Sequence, residues 1–101
     1  EKGFTIAVGE NARIANEVSI QTSHYHAVHR GAPVKTGDVR IGRNVWIGMR
    51  SVVSPGVSIG DGAIVGAMSF VSKDIPAFEM WGGVPARKIR DLPRDPDWKR
   101  A

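Results

Sequence analysis

Ile41-Gly42-Arg43-Asn44-Val45-Trp46 is the first unit of a six-residue rhythm that continues without interruption to Pro76. Ile41, Ile47, Val53, Ile59, Val65 and Val71 recur at a spacing of six, and Gly42, Gly48, Ser54, Gly60, Gly66 or Ser72 follows each of them. Four residues after each aliphatic comes Val45, Ser51, Val57, Ala63, Ser69 or Ile75, a second column of small or medium side chains. An α-helix does not repeat every six residues, whereas a short strand followed by a sharp corner does. The branched aliphatics are expected to point inward, with glycine or serine tolerating the bend. Three hexads close one triangular coil, and coils stacked at about 4.8 Å set Ile41 over Ile59, Ile47 over Val65 and Val53 over Val71. The fold class is therefore all-β, a parallel β-helix.

Upstream, Val8, Ile14 and Ile20 keep the same spacing, with Ala12 and Val18 in the second column, and define one more coil over residues 8–25. His26 stands where the next aliphatic belongs, and the rhythm resumes at Ile41, so residues 26–40 read as a loop inserted into the stack. Loops on a rigid repeat scaffold commonly carry function. After Pro76, Gly82-Gly83-Val84-Pro85-Ala86-Arg87-Lys88-Ile89-Arg90 reads as a turn and a short C-terminal helix with Pro85 in its first turn. The expected division is residues 1–76 for the β-helix with its loop and residues 77–101 for a cap and charged tail, in which Trp98 docks against something the sequence does not identify.

The chain has 101 residues and no cysteine, which excludes disulfides, thiolate metal sites and a catalytic thiol and fits the cytoplasm. No apolar stretch reaches transmembrane length and no signal peptide opens the chain, so no membrane insertion is expected. The chain lacks an initiator methionine and begins in repeat sequence, consistent with a portion of a longer protein. Its net charge of +4 is mixed with acids and unaccompanied by an aromatic-lined basic surface, which argues against nucleic acid and suits a phosphate-bearing small ligand. A small stack with open ends favours self-association.

The three histidines, His24, His26 and His29, cluster at the end of the first coil. A neutral imidazole held at a coil edge can take a proton from a hydroxyl near pH 7, while the alternative is three solvated loop histidines. A zinc site would need all three from one short loop or from neighbouring subunits, so no metal is expected. Trp46 should point outward, as an interface residue or the wall of a ligand cleft. Gly60-Asp61-Gly62 is a corner of the repeat. Lys73, Arg87, Lys88 and Arg90 form either a phosphate-binding set or a solvated basic face.

Four segments together, Ile41-Gly42-Arg43-Asn44-Val45-Trp46-Ile47-Gly48, Pro55-Gly56-Val57-Ser58-Ile59-Gly60-Asp61, Val71-Ser72-Lys73-Asp74-Ile75-Pro76 and Gly83-Val84-Pro85-Ala86-Arg87, resemble the hexapeptide-repeat O-acetyltransferases of the galactoside, maltose, nodulation-factor and colanic-acid type. Hexads alone would also fit nucleotidyltransferases and carbonic anhydrases. The resemblance covers residues 8–92 and implies a left-handed coil, a homotrimer with sites between subunits, acetyl-CoA as donor and a sugar-like acceptor. It assigns the catalytic base to His24, in Ser23-His24-Tyr25, and cofactor binding to Trp46, Met49, Ala67, Ser72, Lys73, Arg87 and Arg90. Met49 departs from the galactoside-type pattern, where serine is usual, losing a hydroxyl while keeping the backbone donor. Two rivals are a metal enzyme of the γ-carbonic-anhydrase type, which needs a third histidine upstream, and a non-catalytic trimeric scaffold.

Overall fold

The computed structural model describes residues 3–23, 30, 36–95 and 97–99. Nine short strands wind as three coils: β1 (Ile6–Val8), β2 (Arg13–Ile14), β3 (Ser19–Ile20), β4 (Val39–Ile41), β5 (Trp46–Ile47), β6 (Val52–Val53), β7 (Ser58–Ile59), β8 (Ile64–Val65) and β9 (Phe70–Val71). Their parallel pairing makes three faces, β1-β4-β7, β2-β5-β8 and β3-β6-β9. The register sets Val8 beside Ile41 and Ile41 beside Ile59, Ile47 beside Val65, and Val53 beside Val71, as the spacing requires. Both aliphatic columns fill the interior: Ile41, Ile47, Val53, Ile59, Val65 and Val71 in one, Val45, Val57, Ala63 and Ile75 in the other.

Serine enters that second column without leaving a polar group unpaired. Ser51 Oγ donates to the Gly66 carbonyl and accepts from the Ser69 N–H, while Ser69 Oγ donates to the same carbonyl and accepts from the Gly83 N–H. Because an unsatisfied buried donor or acceptor is costly, this ladder makes two buried hydroxyls compatible with the core.

The glycines after the aliphatic column act differently from the bend tolerance expected of them. The left-handed backbone falls two residues later, at Asn44, Arg50, Gly56, Gly62 and Met68, with φ between 56° and 79°. A Cβ on Gly48 would lie 2.6 Å from the Ala67 nitrogen in the coil below. Close approach of stacked backbones, rather than dihedral freedom, therefore keeps that column small.

The chain returns to the stack earlier than expected. Ser23 and Thr36 form an antiparallel bridge, the Gly37 N–H donates to the Thr22 carbonyl, and Val39 is fully buried and paired with Ile6. Residues 36–40 thus belong to the scaffold. Val39 lies six residues before Val45, so it fills the second column that the aliphatic column alone did not reveal.

The expected C-terminal helix is a strand. β10 (Glu79–Gly83) takes the next place on the second face, pairing Met80 with Ile64 and Trp81 with Val65, and β11 (Ala86–Asp91) returns antiparallel to it. Pro85 sits in the connecting turn after Gly83, whose φ is +105°. The last coil offers a row of free backbone groups at its edge, and a paired strand satisfies them where a helix would not. Among the described residues no helix is long and apolar enough to cross a membrane.

Candidate functional site

The second face carries the side chains most suited to chemistry. Alternation turns Ile47 inward and Trp46 outward, where the indole is 47% exposed. In register, Arg13, Trp46, Ile64, Met80 and Arg90 form one outward row across β2, β5, β8, β10 and β11. Strand spacing puts Arg90 about 14 Å from Trp46, with apolar residues between them.

Beside that row lies a groove of about 370 Å³, walled by Trp46, Met49, Ile64, Ala67 and Met80, with Gly48 and Gly66 in its floor. Among the described residues no ionisable side chain lines it. Its shape follows from the stacked corners: Gly48-Met49-Arg50 rests directly on Gly66-Ala67-Met68, and the Met68 N–H donates to the Met49 carbonyl at 2.8 Å. Three of the residues expected to bind cofactor, Trp46, Met49 and Ala67, are thereby brought together.

The other four are placed apart from them. Arg87 and Arg90 lie on β11, exposed, and neither forms an ion pair among the described residues. Ser72 and Lys73 follow β9 at the corner leading off the third face, and neither lines the groove. Lys88 is committed elsewhere: its ammonium meets Asp91 at 2.8 Å and Glu79 at 3.5 Å, and the Asp91 hydrogen bond in particular raises its pKa above the ordinary lysine value. His24, His26 and His29 lie outside the described residues. Ser23, immediately before His24, is half-buried at the end of the first coil, where its bridge to Thr36 fixes the point at which the chain leaves the stack.

A second hollow, about 290 Å³, opens at the corner between the first and second faces, among Asn44, Ile64, Phe78, Leu92, Pro93 and Trp98. It answers what Trp98 docks against. Asn44 Nδ2 donates to the Trp98 carbonyl at 2.9 Å, and Asn11 Nδ2 donates to Asn44 Oδ1 at 2.7 Å. The Phe78 ring lies so close to Gly62 that a Cβ there would meet it at 2.6 Å, and the Arg94 guanidinium sits 5.3 Å from the centre of the same ring. Sequence reasoning passed over this site, although Asn11 and Asn44 each stand three residues before an aliphatic of the repeat column, at Ile14 and Ile47.

Residues 38–73 match the family described as bacterial transferase hexapeptide (six repeats). Over 92 residues the chain is 40% identical to a galactoside O-acetyltransferase of Escherichia coli K12, a match spanning 88% of this chain and 45% of that protein. A solved galactoside acetyltransferase in complex with coenzyme A superposes with a TM-score of 0.80 at 36% identity, covering 95% of this chain and 52% of the other. An N-acyltransferase from Bacillus cereus, AntD, in complex with dTDP and 3-hydroxybutyryl-CoA, superposes with a TM-score of 0.77 at 31% identity, covering 88% of this chain and 53% of that one. The chain spans about half the length of these relatives.

Proposed function

We propose that this chain, whose residues 38–73 match the bacterial transferase hexapeptide family, is the donor-binding and catalytic part of a coenzyme A-dependent acyltransferase. It transfers an acetyl group to a hydroxyl of a sugar-like acceptor. The observation that carries this reading is the groove: Trp46, Met49 and Ala67, remote from one another in sequence, wall one apolar channel whose register row ends at the cationic Arg90. The row carries a cation at each end, Arg13 beside Trp46 and Arg90 beside Met80, and this reading places the donor's phosphates at Arg90 and its thioester near Trp46.

In this mechanism His24 removes the proton from the acceptor hydroxyl as its oxygen attacks the thioester carbonyl. The negative charge that develops on the carbonyl oxygen is stabilised by a backbone N–H, for which Met49, at the tight Gly48–Arg50 corner, is the candidate. Collapse of the tetrahedral species breaks the C–S bond, and the departing thiolate takes the proton from the imidazole. No covalent acyl-enzyme forms. Arg87, Arg90 and Lys73 hold the phosphates.

Ser72 and Lys73 stand on a different edge of the prism from Trp46, Met49 and Ala67. A homotrimer packing one protomer's second face against its neighbour's third-face edge would bring both sets to one donor. The relatives support the acyl-transfer reading from two sides, one acting on oxygen and the other on nitrogen. The direct test is thiol release from acetyl-CoA against sugars, nucleotide sugars and amino sugars. Release that depends on a hydroxylated acceptor supports the reading. Absence of both release and coenzyme A binding contradicts it and favours a non-catalytic scaffold.

A further inference from the structure

We infer that Met49 sets the acyl specificity of this site, and that the donor fitting it best carries a straight acyl chain longer than acetyl, about four carbons long. The inference rests on the donor-binding reading above and goes beyond it. A donor anchored by its phosphates at Arg90 runs along the register row past Met80 and Ile64, so its acyl end arrives where Trp46, Met49 and Ala15 meet. There Trp46 and Met49 are each about half exposed in the single chain, at 47% and 49%, and Ala15 lines the channel with them.

An acetyl group has one methyl to bury against this surface and covers little of it. Each further methylene that reaches it is removed from water at a gain of about fourfold in affinity. Methionine is also the side chain best able to follow a flexible chain, being unbranched and polarisable. Serine, usual at this position in the galactoside-type pattern, offers a hydroxyl and far less apolar surface. The chemistry is otherwise unchanged: the acceptor oxygen forms the new C–O bond, the thioester C–S bond breaks, and the hydroxyl proton passes through the base to the coenzyme A thiolate.

The test is calorimetric binding of coenzyme A, acetyl-CoA and butyryl-CoA to the full chain, followed by kcat/KM for the two acyl donors where turnover is seen. Butyryl-CoA is expected to bind about fifteenfold more tightly than acetyl-CoA, two methylenes being buried. Met49→Ser should reduce that ratio to near one, and Met49→Leu should keep most of it. Both variants alter a half-exposed side chain, and an unchanged melting temperature confirms folding. Equal or weaker binding of butyryl-CoA by the unaltered chain overturns this inference alone, as does a ratio that Met49→Ser leaves intact. A preference confined to aromatic acceptors, with none between donors, gives the surface to the acceptor and also overturns it. Failure of all three coenzyme A species to bind removes the donor-binding reading and this inference together.

Discussion

Arg90 stands directly opposite Met80 across the terminal hairpin, and Met80 is in register with Ile64 on the last coil. That pairing carries a cation, encoded ten residues beyond Met80, to the end of an apolar row that begins at Trp46. Had residues 85–90 formed a helix, Arg87 and Arg90 would have been separated from the sheet. The hairpin instead makes them the edge of the same surface.

Arg90→Gln should therefore weaken coenzyme A binding about tenfold, the loss of one charge-assisted contact to phosphate. The unaltered chain should lose affinity as salt is raised, and the variant should lose less. Titration calorimetry at two ionic strengths reads both effects. Equal affinity in the variant and the parent would detach β11 from the phosphates.

Ser69→Ala should destabilise the fold by about 1–3 kcal/mol, because it deprives the Gly83 N–H of its acceptor and removes one of two hydroxyl donors at the Gly66 carbonyl. The loss falls on the joint between the last coil and the hairpin. Denaturant unfolding measures it, and a change within the error of the measurement would mean that water replaces the hydroxyl at no cost.

Asn44→Gly tests the tail latch without disturbing the corner, since glycine accepts the φ of 56° that asparagine adopts there. Loss of the amide removes its bonds to Asn11 and to the Trp98 carbonyl. The expected cost is about 1–2 kcal/mol, with faster tryptic cleavage at Arg94 and Lys99. Parent-like cleavage would show that apolar contacts alone hold the tail.

The coil stack was legible in advance because its two inward columns repeat without error from Ile41 to Ile75, and the register follows from the period. The reason assigned to its glycines was not, since close packing between coils is a contact nineteen residues apart and leaves no mark within one hexad. Gly48 makes the point: its partner is Ala67, and neither residue signals the other locally. The misread helix arose because Pro85 suits a first helical turn and a strand turn equally well. What decided between them was the open edge of β8, a tertiary demand. Similarly, Trp46 was readable as outward from alternation, but one of its neighbours in the groove, Met80, comes from the hairpin. The tail's destination depended on an asparagine ladder whose two members lie thirty-three residues apart.

The account turns on a base at the edge of the first coil, and steady-state thiol release by His24→Ala, with coenzyme A binding measured on the same preparation, tests it most directly. The account predicts a fall in kcat of about 10²-fold to 10⁴-fold with coenzyme A affinity unchanged. A His24→Ala protein that turns over at the parent rate would contradict it.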